Sequence, residues 1–249
     1  MAKPPCFKVT GLADVRAFFD AIAEGYHEVH GNPEAQLDYR LGIINRLLEG
    51  RQHGCLLEIG CGPADHLFAL APRFERCLGV DISPKMIEVA ERKRRTHPCA
   101  RRIAFDVAAA ETLECVGDCS QDVVLMVGVL EHLLDQTAAL KQVRRVLKKG
   151  GVFVCLTPNA RFPWYLLAPL LGWPDKYLSS DRFLSANQLQ DLVAGAGLRL
   201  EALRSWRFVP TGAMPAWAGA IFSVASYLGS VLAGGLAFRA GKLPGPPDE

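Results

Sequence analysis

The chain has 249 residues and a formal net charge of +2, which is too small to indicate a nucleic-acid partner, so we expect none. Its hydrophobic content of 50% and charged content of 22% are typical of a globular protein with a sizeable core. The eight cysteines are scattered, with no Cys-x-x-Cys pair and no His-rich cluster, so we expect reduced thiols and no metal. Because the N-terminus lacks an apolar signal-peptide core, we expect a cytoplasmic protein.

Two helices are predicted ahead of the first strand, and we assign residues 1–50 to an N-terminal helical segment. The first helix covers residues 12–28 and has apolar positions at helical spacing, namely Val15, Phe18, Phe19, Ile22 and Ala23. The second has one apolar face formed by Leu41, Ile44, Leu47 and Leu48.

The next stretch, residues 55–65, is the one around which the chain is organised. An apolar run carrying Glu58 turns on Gly60 and Gly62 and leads into a helical pattern. Such a strand, glycine turn and helix start let backbone approach a ligand closely. Nineteen residues after Gly62, a second strand ends in Asp81, an acid well placed to bind both hydroxyls of a ribose.

Two nucleoside ligands fit this layout, and charge separates them. A dinucleotide fingerprint has a third glycine where this chain has Asp65, which would repel a pyrophosphate at the helix start. Glu58 also suits a cationic ligand better than a doubly anionic one. The pattern therefore favours a ligand with a ribose, an amino group and no phosphate, and S-adenosylmethionine fits that description.

Strands alternate with helices through residue 200, which predicts a doubly wound, mostly parallel α/β sheet with its ligand at the carboxyl ends of the strands. Strands are expected near 55–59, 77–81, 102–106, 122–127 and 151–156, with a further strand around 198–209. Helices are expected near 65–73, 84–96, 136–148 and 185–195.

Four ordered motifs in this region resemble those of class I S-adenosylmethionine-dependent methyltransferases. They are Glu58-Ile-Gly-Cys-Gly-Pro, Gly79-Val-Asp81-Ile-Ser-Pro-Lys-Met86-Ile, Asp122-Val-Val-Leu and Val129-Leu-Glu131-His132. The resemblance covers roughly residues 15 to 200 and implies a Rossmann-like fold with an N-terminal helical lid. As such a lid, the first helix would bring Tyr26 and His27 close to the cofactor pocket, and the alternative is an ordinary helix that caps one end of the sheet. The resemblance also implies that the cofactor is S-adenosylmethionine and the activity is methyl transfer.

The resemblance assigns cofactor-binding roles to residues of these motifs and of the second helix. They are Glu58, Gly60, Cys61, Gly62, Asp81, Ile82, Met86, Ala109, Ala110, Glu111, Val127 and Arg40. One position departs from the family pattern, because Ala109 stands where an Asp normally meets the adenine amino group. Either Asp106 or Glu111 is then expected to substitute.

His132 is the best available general base for the acceptor, because its intrinsic pKa lies near neutrality. The alternative is a histidine that only holds its loop. Related ubiquinone-pathway O-methyltransferases carry an acid where this chain has Gly128, so the resemblance predicts no metal. Substrate contacts are expected from Tyr26, Asn159, Arg161 and Trp164.

Two apolar segments complete the chain. One is an insertion at 161–180 within an assigned core of 51–210, and the other is the charge-free run Ala216–Phe238 within a tail of 211–249. The run could form a core helix over the sheet, a helix on the membrane surface or a span. A span needs about 20 apolar residues, but glycines and serines dilute the run, so we favour a hydrophobic lid helix or a membrane-associated helix over a span. No convincing seventh strand is visible.

The two apolar segments favour a methyltransferase acting on a hydrophobic small molecule, such as a quinone precursor, a phenol, a polyketide or a lipid, with association at a membrane surface. The alternatives are a soluble small-molecule O- or N-methyltransferase with an apolar lid and a catalytically silent S-adenosylmethionine-binding protein. The sequence gives no indication of the oligomeric state.

Overall fold

The computed structural model describes residues 6–26, 33–50, 54–170, 178–206 and 233–243. The strands are β1 (Cys55–Ile59), β2 (Arg76–Asp81), β3 (Ile103–Val107), β4 (Gln121–Val127), β5 (Leu147–Pro158), β6 (Leu198–Trp206) and β7 (Gly235–Lys242). The helices are α1 (Leu12–Ile22), α2 (Pro33–Leu48), α3 (Asp65–Leu70), α4 (Pro84–Arg94), α5 (Gln136–Val146), α6 (Pro163–Leu170) and α7 (Ala186–Gly195). Short 3₁₀ turns occupy Ala71–Arg73, Ala100–Arg102 and Leu130–His132.

The seven strands form one sheet in the order β3-β2-β1-β4-β5-β7-β6. Strands β1 to β5 run parallel, while β7 pairs antiparallel with both β5 and β6. The chain winds outward from β1 through β2 to β3 and then returns to the other side of β1 as β4. The strand order therefore reverses between β1 and β4, which is where doubly wound sheets bind ligands. The predicted fold class is confirmed.

Both faces of the sheet are covered, which explains why its strands read as continuous apolar runs. One face packs on α5 and α7 through Leu140, Val143, Leu189 and Val193. The opposite face packs on α2, α3 and α4 through Ile44, Leu47, Leu67 and Ala90. The apolar face predicted for α2 is therefore buried, with Ile44, Leu47 and Leu48 at most 1% exposed.

Strand β7 corrects the expectation of a helical tail over residues 211–249. Its eight residues, Gly235–Lys242, form a strand between β5 and β6, and they belong to the core sheet. A half-buried strand alternates between apolar and polar residues. Because β7 is buried on both faces, its sequence lacks this alternation and did not indicate a strand. Gly235 is required by packing, since a Cβ there would overlap the ring of Trp206 on β6. The rest of the apolar run, residues 216–232, lies outside the described residues.

The charged residues that follow the apolar run also have structural partners rather than a membrane interface. On β7, Arg239 Nε lies 2.9 Å from Glu201 Oε2, and its Nη1 lies 2.6 Å from Glu49 Oε2. Lys242 Nζ lies 3.2 Å from Cys119 Sγ. Among the described residues, no helix combines the length and apolar character needed to cross a membrane.

Candidate functional site

Two adjoining clefts open at the carboxyl edge of the sheet, and both are lined by Gly60 and Tyr26. The larger spans about 620 Å³ and the smaller about 560 Å³, and both volumes include space that is open to solvent. The larger is lined by Leu12, Val15, Phe19, Tyr26, Ile59, Gly60, Gly62, Asp81, Ile82, Met86, Ala108, Ala110, Glu111, Gly128, Val129, His132 and Leu133. The smaller is lined by Tyr26, Gln36, Leu37, Arg40, Glu58, Gly60, Cys61, Pro63, Asp65, His66 and Val127.

The glycine turn after β1 separates the two clefts. Gly60 has a φ of +65°, and a Cβ at this position would overlap the methyl groups of Val129. Gly62 has a φ of +51°, but a Cβ there would meet only Met86 Sδ, at 4.0 Å. Both positions need the left-handed conformation that glycine adopts freely. Gly60 in addition needs the absence of a side chain, because the backbone runs directly against Val129.

Asp81 ends β2 and fixes the glycine turn from the larger cleft. Its Oδ2 accepts a hydrogen bond from the Gly62 N–H at 2.8 Å, and its Oδ1 accepts one from the Ser83 N–H at 2.9 Å. Burial raises the pKa of this carboxyl to about 6, although the two backbone donors act in the opposite direction. Each carboxylate oxygen has two acceptor sites, so both retain capacity for a ligand hydroxyl.

Ser83 connects this edge of the site to α1. Its hydroxyl donates to Asp20 Oδ1 at 2.6 Å and accepts from the Met86 N–H at 3.1 Å, which caps α4. Asp20 Oδ1 also accepts the Lys85 N–H at 3.2 Å. The carboxylate of α1 thus sits at the positive end of α4, and this holds α1 over the larger cleft.

Glu58 lies beneath the smaller cleft and is only 1% exposed. Its Oε1 lies 3.5 Å from His66 Nδ1, and burial raises the pKa of the carboxyl. Within the described part of the chain, neither Glu58 Oε2 nor His66 Nε2 has a hydrogen-bond partner. Unpaired polar atoms at this depth are rare, and both atoms keep their hydrogen-bonding capacity for a ligand or an ordered water.

Helix α2 brings a guanidinium to the opposite wall of the smaller cleft. Burial lowers the pKa of Arg40, while Tyr26 and Glu131 act to raise it. The neighbouring Cys61 is buried, and its burial raises the pKa of the thiol well above the ordinary value, so it stays neutral. The smaller cleft therefore presents a carboxyl at its base and a guanidinium on its wall.

Asp106 and Glu111 were the two carboxylates expected to replace the Asp that is missing at position 109, and the structure distinguishes them. Glu111 lines the larger cleft and accepts the Leu134 N–H at 3.2 Å, whereas Asp106 accepts its neighbour's N–H, that of Val107, at 2.8 Å. Ala109 itself does not line either cleft, although Ala110 does. Glu111 is thus the carboxylate that faces the larger cleft.

His132 lies in the 3₁₀ turn that follows β4 and lines the larger cleft. Its Nδ1 is 2.7 Å from Oδ1 of Asp181, a carboxyl that is only 1% exposed. Burial acts to lower the pKa of His132, but the Asp181 hydrogen bond and the charges of Glu131 and Asp181 outweigh it and raise this pKa. Glu131 is buried, and its Oε2 accepts the Thr157 hydroxyl at 3.1 Å.

The wall beside His132 is apolar. Phe19 of α1 contacts the imidazole edge-on, with ring centroids 5.5 Å apart, and Leu12, Val15 and Leu133 line the same cleft. The sequence analysis identified Val15 and Phe19 only as part of a helix face, and it did not single out Leu12 or Leu133.

The predicted substrate residues are placed unequally. Tyr26 lines both clefts, whereas Asn159, Arg161 and Trp164 line neither. Asn159 instead donates to the Ala233 carbonyl at 3.1 Å and accepts the Arg161 N–H at 3.1 Å. His27, predicted near the pocket, lies outside the described residues. The sequence analysis missed Asp181, which lies 49 residues from His132 and belongs to no motif.

A doubly wound sheet with a glycine turn at its reversal point and an acid ending the next strand is the arrangement expected of a class I S-adenosylmethionine-dependent methyltransferase. The family described as "Methyltransferase domain" matches residues 57–155. A ubiquinone biosynthesis O-methyltransferase from Idiomarina loihiensis is 31% identical over 205 residues, which cover 78% of this chain and 83% of the relative. The chain belongs to this methyltransferase family, and its cofactor is S-adenosylmethionine.

Other relatives and solved structures agree on the fold. A demethylmenaquinone methyltransferase from Symbiobacterium thermophilum is 28% identical over 213 residues, covering 74% of this chain and 84% of the relative. The [4+2]-cyclase SpnF superposes with a TM-score of 0.72 at 19% identity, over 97% of this chain and all of its own. A geranyl diphosphate C-methyltransferase from Streptomyces coelicolor gives 0.62 at 16% identity, over 84% of this chain and 79% of its own.

Proposed function

We propose that this methyltransferase transfers the methyl group to a ring hydroxyl of a lipophilic small molecule, such as a quinone precursor or another prenylated phenol. The observation that carries the proposal is His132, a titratable group set in the apolar wall of the larger cleft. An apolar wall suits a hydrophobic acceptor, and a base beside it suits an acceptor that must lose a proton. Relatives named for ubiquinone and demethylmenaquinone support the same substrate class.

The proposal places the amino-acid end of the cofactor in the smaller cleft. Arg40 binds its carboxylate there, while the unpartnered Oε2 of Glu58 faces its amino group. Backbone at Gly60, Cys61 and Gly62 lies against this end of the ligand. The opposite charges at the base and on the wall of the cleft match a zwitterion, and Val127 completes the wall.

The larger cleft receives the nucleoside. Asp81 accepts hydrogen bonds from the ribose hydroxyls, and Ile82 and Met86 pack on the adenine. Glu111 takes the adenine amino group in place of the family's usual Asp, with Ala110 packed beside it. This arrangement directs the methyl group toward the part of the cleft where His132 and Phe19 lie.

S-adenosylmethionine supplies an electrophilic methyl carbon on a good, neutral leaving group, so the protein's work is alignment and removal of one proton. His132 accepts the proton of the acceptor hydroxyl at Nε2, since Nδ1 is engaged by Asp181. Phe19, Leu12 and Val15 exclude water from the reacting atoms. Tyr26, at the junction of the clefts, aligns the acceptor against them.

The test separates binding, methyl transfer and acceptor class. Calorimetric titration with S-adenosylmethionine is followed by mass spectrometry of products from catechols carrying prenyl tails of increasing length, with an untailed catechol as the matched polar control. We expect methylation that strengthens with tail length. Binding without any methylated product would refute methyl transfer to phenols, and equal rates for tailed and untailed acceptors would refute the lipophilic substrate class.

Replacement of the proposed base gives the corresponding prediction within the protein. His132→Gln is expected to lower kcat by about 100-fold or more, the usual contribution of a positioned base, with little change in cofactor affinity. In the unmodified protein, kcat/KM should rise with pH through the raised pKa of His132, because only neutral imidazole accepts the proton. A variant with full activity and the same pH profile would show that another group takes the proton.

Association with a membrane surface accompanies a lipophilic acceptor, and we include it in the proposal. Helix α6 begins a few residues after β5 and carries two exposed leucines, Leu167 at 43% and Leu170 at 82%. Flotation with neutral and anionic lipid vesicles tests this point, and Leu167→Ser with Leu170→Ser should reduce the bound fraction. Equal recovery without vesicles would contradict it.

A further inference from the structure

We propose that Asp181 is a positioning residue for methyl transfer, because its carboxylate fixes His132 in the form that carries a proton on Nδ1 and leaves Nε2 to accept the proton of the acceptor. This inference rests on the proposed function, in which His132 is the base. It concerns a residue outside every methyltransferase motif of the sequence. The observation beneath it is the 2.7 Å contact between Nδ1 and Oδ1, with Asp181 buried to 1% exposure.

The contact determines which nitrogen is available. An ionised carboxylate only accepts hydrogen bonds, so the shared proton lies on Nδ1 of the neutral imidazole. Within the described residues, Nε2 of His132 makes no hydrogen bond. Since the ring lines the larger cleft, the lone pair of Nε2 is the one offered to an acceptor. Without Asp181, neutral imidazole would also adopt the other tautomer, in which Nε2 carries the proton and cannot act as a base.

Residues of the N-terminal segment form hydrogen bonds with one side of the loop that carries Asp181. Asp181 Oδ2 accepts the Leu178 N–H at 3.0 Å, which orients the carboxylate. The Ser179 N–H donates to the Phe7 carbonyl at 2.8 Å, and the Ser179 hydroxyl accepts the Val9 N–H at 2.8 Å. The carboxylate therefore has a fixed direction as well as a fixed depth.

The other side of the loop forms hydrogen bonds with the turn that carries His132 and with Gln136. The Arg182 N–H donates to the Glu131 carbonyl at 2.8 Å. The Gln136 side chain donates to the Leu130 carbonyl at 2.8 Å and to the Arg182 carbonyl at 3.1 Å. The turn bearing His132 and the loop bearing Asp181 are thus joined through backbone, so the pair is pre-organised before an acceptor arrives.

Charge supports the pairing once the proton has moved. When the hydroxyl proton reaches Nε2, the ring becomes an imidazolium that keeps its Nδ1 proton, and Asp181 remains a carboxylate facing it. The proton leaves Nε2 for solvent after the product departs. Asp181 and Glu131 both raise the pKa of His132 against the effect of burial. Among the described residues, the other ionisable groups facing this region are Asp81, Tyr26 and Glu111 on the walls of the larger cleft and Arg40, which interacts electrostatically with Glu131.

The decisive measurement needs no acceptor. Nitrogen NMR of ¹⁵N-histidine-labelled protein, with His132→Gln to assign the signal among the six histidines, reports both the tautomer and the titration midpoint. We expect the Nδ1–H tautomer at high pH in the unmodified protein. In Asp181→Asn the midpoint should move down, because a carboxylate charge is lost, and Nε2–H should become populated. Ser180→Ala, a change next to Asp181 at a hydroxyl that has no hydrogen-bond partner in the described part of the chain, leaves the contacts of the carboxylate in place and should retain the wild-type midpoint and tautomer.

Turnover gives the second readout. With S-adenosylmethionine and a short-chain prenylated catechol, Asp181→Asn should lower kcat about tenfold or more and shift the rise of kcat/KM to lower pH, with cofactor affinity unchanged. In the His132→Gln background the same change should have no further effect, since the two residues act as one unit.

An Nε2–H tautomer in the unmodified protein, or a midpoint unaffected by Asp181→Asn, would overturn the inference. A further loss of activity when Asp181→Asn is added to His132→Gln would also overturn it. Failure of the proposed function has a different signature, namely no methylated phenol from the unmodified protein. The NMR result then still decides whether Asp181 fixes His132.

Discussion

Acidification should weaken cofactor binding through one carboxyl, Asp81. This residue lies at the end of β2 with its oxygens accepting the Gly62 and Ser83 N–H groups, and burial raises its pKa to about 6. We expect the ionised form to bind the ribose hydroxyls, because a protonated carboxyl loses acceptor capacity. Affinity should therefore be full above pH 7 and fall as the pH drops through 6.

The size of the effect follows from proton linkage. With a pKa of about 6, roughly one protein in eleven carries ionised Asp81 at pH 5, so affinity should be about tenfold weaker than at pH 7, or about 1.4 kcal/mol. Asp81→Ala removes the carboxylate entirely and should cost about 1.5–3 kcal/mol at pH 7, the value of a hydrogen bond to a charged group. That corresponds to a loss of about 10- to 150-fold in affinity.

The same pKa affects the ligand-free fold with a defined sign. The folded-state pKa of Asp81, about 6, exceeds its ordinary value of 3.8, so the folded protein binds the proton more tightly than the unfolded chain. Ionisation of Asp81 therefore lowers the stability of the ligand-free protein as the pH rises from about 4 to 6. Cofactor binding to the ionised form offsets this loss.

Calorimetric titration with S-adenosylhomocysteine at pH 5, 6, 7 and 8 tests the reasoning, using two buffers of different ionisation enthalpy to count released protons. Binding at pH 5 should release about 0.9 proton. Asp81→Asn serves as the isosteric control and should bind weakly with a flat pH dependence. His132→Gln removes the other nearby group that titrates in this range. A flat profile in the unmodified protein, or an unchanged slope in Asp81→Asn, would refute the assignment.

Two substitutions of glycine test the packing. Gly60→Ala should cost most of the cofactor affinity and about 2–5 kcal/mol of stability, because the left-handed backbone penalty of about 1–2 kcal/mol adds to about 1–3 kcal/mol for the overlap of the new Cβ with Val129. Gly62→Ala, where a Cβ meets only Met86 Sδ at 4.0 Å, should cost mainly the backbone penalty of about 1–2 kcal/mol. Thermal unfolding and calorimetry compare the two variants, and equal losses would contradict the clash. Gly235→Ala should lower Tm by several degrees through its overlap with the Trp206 ring while cofactor affinity per folded molecule is retained, and an unchanged Tm would show that the ring moves aside.

Most of the sheet could be predicted because local pattern and burial agree. Strands β1, β2, β3 and β4 begin and end within a residue or so of the predicted limits, and β1, β2 and β4 are largely buried apolar runs bounded by turn residues. Strand β5 is longer than predicted, Leu147–Pro158 against 151–156, because Leu147 pairs with Gln121 of β4 ahead of a register shift, and Thr157 and Pro158 pair with β7. Composition gives little sign of that extension.

The site was predictable only where a motif carries it. Glu58, Gly60 and Asp81 lie in short local patterns whose spacing reflects one turn of the chain. Asp181 reaches His132 through tertiary folding of a loop, and the sequence between them contains two helices and a strand. Strand β7 was missed for a related reason, since its position between β5 and β6 is a property of the whole sheet rather than of its eight residues.

Strands β6 and β7 form an antiparallel pair at the edge of the sheet, and the chain segment between them can be replaced without changing how the two strands pair. Trp206 and Gly235 are direct partners, and Gly235 also pairs with Pro158 at the carboxyl edge, where the clefts open. A replacement for residues 207–234 would thus start and finish on neighbouring backbone positions, and its closure cost would grow only with the logarithm of its length. Natural or engineered variation at this junction can therefore change the inserted segment while the sheet keeps its register.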